Sequence, residues 1–441
     1  MKKLLCLSLL FCILTTLLCI YPSAAEPPEV VGVGSATLVN TETGNVVYSY
    51  NSDVELSPAA TPRLMTALVT YKLLKNRMDE AVTVSADMVK GYENYNSFYL
   101  SKWRSLSDYV GKKITVRDLY ELALVYSADD AVQALAVLAY GDTSRCIAAM
   151  NDTAKALGMT HTEYTNTVSS GAGAKTTGAD TAKLASAFYK ENVLFEIASS
   201  SSASIAVGAD KVTIYNRNLF NSTYYGAGYY DDSVYGLLYH SSAGCIVSAK
   251  ANGNLSYVCV IMGADTTGKA TYSDGTTANA FTVSSSLLKY GIDGFGFTEV
   301  LSPLRIFADI PVTLSKQADF VTAVPRGSLV SFLPTSINVE TDVTYEVHLD
   351  VTTLEAPVKL GESLGRVDVI YNGETLGSVE LVANAAISKS LTREFSDFLA
   401  RVISYPVTIV IIVFVVIFFF GYILYSAQKE TERAQNGDTE E

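Results

Sequence analysis

The chain alternates between segments of very different hydrophobic period. Residues 33–50 carry two β-rich runs, SATLVN and NVVYSYN, around a Thr-Glu-Thr-Gly turn, and predict a hairpin. Pro62 to Lys75 has Leu64, Ala67, Leu68, Leu73 and Leu74 along one side and predicts a helix, with Thr61 as its N-cap and Pro62 at its first position. Val116 to Tyr140 has continuous helical periodicity. Ile147 to Gly158 and Asp180 to Lys190 predict two further helices, the first ended by its glycine. Val212 to Gly236 is rich in Tyr and Asn and reads as irregular. Cys245 to Ala249 and Leu255 to Gly263 are apolar runs around Asn252-Gly253, which predicts a hairpin of buried strands. Phe281 to Tyr290 is again helical. Strands at both ends with helices between them predict an α+β domain over 30–296.

From 297 to 388 helical periodicity disappears. Short strands are expected at Leu304–Phe307, Asp319–Val324, Leu329–Leu333, Thr344–Leu349, Arg366–Tyr371 and Leu376–Val382, with a type I′ turn at Asn372-Gly373. This predicts a small all-β domain of sandwich type. Over 389–404, Leu391, Phe395, Phe398 and Leu399 recur at helical spacing. That segment reads either as a helix lying on a membrane surface or as a spacer.

The two ends are apolar without period. Lys2 and Lys3 precede an uncharged run from Leu4 to Ile20, and Ser23-Ala24-Ala25 offers small residues for cleavage. Residues 1–25 therefore read as a secretory signal peptide, an uncleaved anchor being the alternative. Pro406 to Tyr425 is 20 residues without a charge, enough at ~1.5 Å per residue to cross a hydrocarbon core of ~30 Å. Tyr405, Tyr422 and Tyr425 stand at its interfaces. A transmembrane helix over 405–425 and a cytoplasmic tail over 426–441 are expected, with the remainder exported.

Composition narrows the chemistry. Among 441 residues, 32 Lys+Arg stand against 45 Asp+Glu, a net charge of −13, and loss of residues 1–25 would leave −15. Such a balance argues against nucleic acid, which needs clustered cations. Three His, at 161, 240 and 348, do not suggest a metal centre, and no cofactor is implied. Outside the first 25 residues, Cys146, Cys245 and Cys259 remain, and the pattern leaves a single Cys245–Cys259 pair open.

Several blocks carry a family likeness. SATLVNTETGNVVYSYNSDVELSPAATPRLMTALVTYKLL resembles the opening of the serine-type D-alanyl-D-alanine carboxypeptidases, the low-molecular-weight penicillin-binding proteins (peptidase S11 type). ITVRDLYELALVYSADDAVQALA, MNDTAKALGMTHTEYTN, AGCIVSAKANGNLSYVCVIMGA and LEAPVKLGESLGRVDVIYNGETLGSVELVAN resemble later blocks of that family, in order, over about 33–390. The resemblance implies a β-lactamase/transpeptidase-like domain followed by a β domain. It also implies a chemistry: a Ser nucleophile and a Lys one turn later in Ser-x-x-Lys, then Ser-x-Asn, then Lys-Thr-Gly on an edge strand.

At the matching positions the residues differ. Pro58-Ala59 aligns the nucleophile with Ala60 and the base with Arg63. Ser127-Ala128-Asp129 keeps the Ser and replaces Asn by Asp, and Leu238, Tyr239 and His240 stand where Lys, Thr and Gly are expected. Ala60 offers no oxygen, and a guanidinium does not act as a base. Ser286/Lys289, Ser49/Asn51, Ser336/Asn338 and Lys175 to Gly178 fit the motifs loosely but stand elsewhere in the order of blocks. Three readings follow: a pseudoenzyme whose partner is peptidoglycan or a cell-wall synthesis protein; an active hydrolase rewired around Ser127 and His240; or a peptidoglycan-binding module lined by Tyr239 and the Tyr-rich stretch from Tyr215 to Tyr239.

Overall fold

The computed structural model describes residues 26–93, 102–223 and 233–437. The expected signal peptide, and Tyr224, Tyr225, Tyr229 and Tyr230 of the Tyr-rich stretch, lie outside the described residues. The chain forms two compact units, one running to Gly296 and including Phe332–Ile337, the other comprising Phe297–Ser331 and Asn338–Glu441.

The first unit is built on a five-stranded antiparallel sheet. β1 (Ser35–Asn40) and β2 (Val46–Tyr50) form the expected first hairpin. A smaller four-stranded sheet comprises β3 (Ala81–Thr83), β4 (Lys113–Thr115), β5 (Ser202–Val207) and β6 (Asp210–Tyr215). The main sheet is completed by β7 (Tyr235–His240), β8 (Cys245–Asn252) and β9 (Leu255–Met262), in the order β2-β1-β9-β8-β7.

The helices divide between the two faces of the main sheet. One face packs on α1 (Thr61–Leu74), α2 (Val116–Leu124), α3 (Asp129–Tyr140), α4 (Thr143–Ala156), α5 (Gly178–Tyr189) and α6 (Asn192–Ser199). Leu64, Leu68, Leu135 and Leu184 share one buried core with Val247, Val258 and Val260 there. The other face packs on α7 (Ala280–Gly294), where Phe281, Leu287 and Leu288 meet Ile246, Tyr257 and Ile261. Because both faces are covered, β8 and β9 read as unbroken apolar runs, and strand alternation decides which core each residue joins.

Several expectations are corrected. Helix α1 starts at Thr61, so Ala60 occupies the cap position and supplies no capping oxygen. The helix expected over Val116–Tyr140 is two helices. Ser127 adopts a left-handed conformation (φ 60°) between them, and Ala128 N–H closes the turn on Leu122 O at 2.9 Å. The stretch read as irregular from Val212 begins inside β6, which pairs with β5 along its whole length. β5, SASIAV, was hidden because small residues fill its outward positions while Ile205 and Val207 face the core. Cys245 belongs to the α1 side of the sheet and Cys259 to the α7 side, and both are free thiols, so they form no pair.

Beyond α7 the chain forms β10 (Phe295–Leu301), β11 (Ala308–Thr313), β12 (Phe320–Pro325), β13 (Leu329–Pro334), β14 (Val343–Leu349), β15 (Leu354–Glu355), β16 (Ser363–Tyr371) and β17 (Glu374–Ala383), followed by two helices; the start of β10 and the end of β13 belong to the first unit. A six-stranded sheet runs β14-β16-β17-β12-β11-β15. Asn372 and Gly373 both have positive φ (50° and 81°), as a type I′ turn requires. The strand expected at Leu304–Phe307 is absent: Leu304 and Ile306 are exposed and the ladder starts at Ala308. Helix α8 (Leu391–Ser404) leaves Leu391, Phe395, Phe398 and Ile403 exposed along one stripe. In α9 (Pro406–Gly437), Ile409–Glu432 is long and apolar enough to cross a membrane.

Burial pushes the Cys245 and Cys259 thiols up to about 12, so both are protonated and shielded. Alkylation with iodoacetamide at pH 8 is therefore expected to leave both unmodified in the folded chain and to modify both after denaturation without reductant. Recovery of a Cys245–Cys259 disulfide peptide by mass spectrometry would contradict the assignment of opposite faces.

Candidate functional site

The first turn of α1 is built in a confined space. Ala59 takes a left-handed φ of 52°, and its carbonyl accepts from Ser170 N–H at 2.9 Å. Ala60 is fully buried. Arg63 follows one turn later, its N–H bonded to Ala60 O at 3.0 Å, and its side chain is 9% exposed. A cation buried that deeply needs a counter-charge, and Asp129, the first residue of α3, provides it, with Arg63 Nη2 to Asp129 Oδ1 at 2.5 Å. Acidic groups suit a helix N-terminus, so Asp129 gains from α3 as well as from Arg63.

The neighbouring residue fixes that end of α3 in place. Asp130 is fully buried, and its carboxylate accepts from Ser105 Oγ (2.8 Å), Leu106 N–H (2.6 Å) and Ala131 N–H (2.8 Å). Burial pushes its carboxyl up despite those bonds. Tyr92 stands in the same field: burial and the Asp129 and Asp130 carboxylates raise its hydroxyl to about 12.

Ser127 is two residues before Asp129, in the strained turn. On β7, burial first and then the Arg63 guanidinium hold the His240 imidazole below its ordinary value of 6.5, with Asp129 opposing. His240 therefore lies within the field of the Arg63–Asp129 pair. Leu238 is buried in the same core as Ala60 and Leu64. Ala60, Arg63, Ser127, Asp129, Leu238 and His240 thus belong to one side of the sheet.

Tyr239 does not join them. Its ring packs on Phe281, 4.7 Å between centroids, on the α7 side. It cannot obstruct or line a cleft beside α1, contrary to the expectation from sequence, because strand alternation turns it away from Leu238 and His240. Among the described residues, no hydrogen bond links Ser127 to His240, whose Nδ1 stands 3.4 Å from Ser242 Oγ.

The loose motif matches have local structural roles. Ser286 Oγ donates to Thr282 O within α7, and Lys289 pairs with Asp293 on the exposed side of that helix. Lys175 pairs with Glu55 at 2.9 Å, and Thr177 N-caps α5. Asn338 N-caps the helical turn Val339–Asp342. Asn216, Asn218 and Asn221 escaped the sequence reading. They lie in the Tyr- and Asn-rich stretch, and their side chains bond the carbonyls of α6 and the edge of β7. Their spacing, Asn-x-Asn-x-x-Asn, was the available signal.

A sequence profile of the family described as "D-alanyl-D-alanine carboxypeptidase" matches residues 22–266, more than half of the chain. The chain belongs to the D-alanyl-D-alanine carboxypeptidase family. The family's second domain, described as "Penicillin-binding protein 5, C-terminal domain", matches residues 313–389. The carboxypeptidase DacF of Bacillus subtilis (strain 168) is 24% identical over 376 residues, spanning 83% of this chain and 88% of the relative. DacC of Escherichia coli (strain K12) is 25% identical over 364 residues, with 78% and 82% covered.

Solved structures share the fold. Penicillin-binding protein 6B from Escherichia coli matches at 21% identity and a TM-score of 0.58, covering 82% of this chain and 98% of that one. A peptidoglycan synthesis regulatory factor (PBP3) from Streptococcus pneumoniae matches at 20% identity and 0.54, covering 82% and 100%. The carboxypeptidase family is one of penicillin-binding proteins acting in peptidoglycan metabolism.

Two predictions follow from this geometry. Removing Asp129 strands the more deeply buried partner, whereas removing Arg63 leaves a carboxylate with 24% of its side chain exposed at a helix N-terminus. Asp129→Ala should cost about 3 kcal/mol and Arg63→Met about 1 kcal/mol, measured by urea unfolding of the detergent-solubilised chain. Equal costs would contradict the asymmetry. For His240, folding favours the neutral ring, so its contribution is present above about 6.5 and lost as pH falls below it. Between pH 7.5 and 5.5 the wild-type melting temperature should fall further than that of His240→Gln. Parallel curves would contradict the assignment.

Proposed function

We propose that this chain is an exported, membrane-tethered member of the carboxypeptidase family that has lost acyl-enzyme chemistry and works by binding. In this reading Ala60 stands at the nucleophile position, where a methyl group has no oxygen to attack a carbonyl. Arg63 stands at the base position, and a guanidinium keeps its proton and is engaged with Asp129. The observation that carries the proposal is this ion pair. The two positions that would activate a nucleophile and hold a substrate amide are instead spent on each other's charge.

The same reading places the chain in the cell envelope. Residues 405–425 span the membrane, residues 26–404 face the wall, and the short tail over 426–441 is cytoplasmic. The apolar stripe of α8 rests at the membrane surface beside the span. Tethering is left to the helices, because an acidic ectodomain has no attraction to anionic wall polymers or lipid. The partner is peptidoglycan itself or a protein of wall synthesis, and the role is scaffolding or regulation.

Incubation of the full-length chain with a fluorescent penicillin tests this. No adduct that survives denaturing electrophoresis is expected, at any time or concentration at which an active carboxypeptidase of the family is fully labelled. A stable covalent adduct, mapped to any serine of the chain, overturns the proposal.

A further inference from the structure

In the second unit the six-stranded sheet ends on β14, an outermost strand. β14 pairs with β16 from Val343 opposite Tyr371 to Leu349 opposite Gly365. Just beyond, Asp350 N–H donates to Leu364 O at 3.0 Å. Backbone groups alternate in direction along an antiparallel strand, so His348, Glu346 and Thr344 also bond β16. A Cβ on Gly365 would stand 2.1 Å from His348 O, which agrees with that direction. The N–H and C=O groups of Tyr345, Val347 and Leu349 therefore point away from the sheet. Among the described residues no hydrogen bond reaches them.

The same three residues place their side chains on one face. At Tyr345 that face is covered: the hydroxyl donates to Val300 O at 2.7 Å, and the ring packs on Phe307, 5.6 Å between centroids. Val369 and Val367, opposite Tyr345 and Val347 in the ladder, are fully buried. Val347 and Leu349 form the margin of this core and are 39% and 37% exposed. An added strand with apolar residues at alternate positions would cover them while its backbone satisfied the outward groups.

Charge selects the added strand. Residues 340–350 hold Glu340, Asp342, Glu346 and Asp350 and no Lys or Arg. On the neighbouring positions His348 and Arg366 both face Asp368, at 3.1 and 3.5 Å. Glu340 is paired with Arg305 at 3.8 Å, whereas Glu346 and Asp350 have no ion-pair partner among the described residues. A second copy of the chain, pairing antiparallel about Glu346, would set Glu346 against Glu346 and Asp342 against Asp350, and like charges directly opposite are destabilising. A cationic strand meets the same groups with opposite sign.

We propose that the outer edge of β14 is a docking site for an extended, cationic segment of another protein, in which Lys or Arg alternates with β-branched apolar residues and which joins the sheet as a seventh strand. The inference does not rest on the loss of acylation. Peptide protection of β14 and penicillin labelling are read on different units, so the two tests fail independently.

Hydrogen–deuterium exchange of the full-length chain in non-ionic detergent micelles, read by mass spectrometry with fragmentation over residues 343–350, tests it. The probes are the synthetic peptides Lys-Val-Lys-Val-Lys-Val-Lys and Glu-Val-Glu-Val-Glu-Val-Glu, each at millimolar concentration. In the free chain the Val347 and Leu349 amides should exchange fast and those of Glu346 and His348 slowly. The cationic peptide should slow Val347 and Leu349 ~10-fold, and the anionic one should leave them unchanged. In the double variant Glu346→Lys/Asp350→Lys the cationic peptide should no longer protect them. In Val347→Pro, which removes an outward N–H that an edge strand can spare, protection of Leu349 should be lost. No slowing by the cationic peptide overturns the proposal, as does equal slowing by the anionic one, or slowing that survives the double variant. Slow exchange of Val347 and Leu349 in the free chain that becomes fast on dilution assigns the edge to a second copy and also overturns it. Exchange over β17 in the same data reports the integrity of the sheet; if Val347→Pro loses protection there, the double variant carries the test with the same outcomes.

Discussion

The rest of the first unit depends on a sheet that is buried on both faces. With α1 to α6 on one side and α7 on the other, each residue of β7, β8 and β9 must join one of two cores, and strand alternation decides which. The consequences are chemical as well as structural. Cys245 and Cys259 are separated by the thickness of the sheet, so neither can serve the other as a disulfide partner. Tyr239 is drawn to Phe281, while Leu238 and His240 turn towards α1 and α3. A one-residue slip of β7 would exchange these roles.

Against that sheet the ends of α1 and α3 are pinned by charge. Arg63 could not be buried alone, and Asp129 could not be drawn from solvent without a cation, so each accounts for the other's position. The break between α2 and α3 is what presents Asp129 at a helix start. An unbroken helix over Val116–Tyr140 would have placed it mid-helix, with its carboxylate unsupported by free backbone N–H groups. Asp130, bonded to Ser105 and Leu106, anchors the same end from the opposite direction. The left-handed turn at Ser127 comes two residues before Asp129, and among the described residues no hydrogen bond links Ser127 to His240.

Much of this was legible in the residues. The first hairpin, α1, α4, α5, α7 and the β8–β9 hairpin follow from periods, caps and an Asn-Gly turn, and the order of blocks indicated the family. The motif positions could be aligned because they lie within those well-marked elements. Three features were not legible, each for a physical reason. Helical periodicity continues through Ser127, since the apolar spacing of α2 and α3 happens to be in phase, so the break was invisible. β5 has too few β-branched residues to announce a strand. The asparagine ladder depends on bonds between residues that are remote in sequence, such as Asn221 with Gly236 and Asn216 with Ala198, so the Asn-x-Asn-x-x-Asn spacing marks the residues without indicating their partners.

The central claim is that a carboxypeptidase fold has been kept while its acyl-transfer chemistry has gone. Release of D-alanine from a stem pentapeptide by the full-length chain, compared with Ser127→Ala, tests this most directly. The account predicts no release above the uncatalysed background for either protein. Release by the wild type that disappears in Ser127→Ala would contradict it.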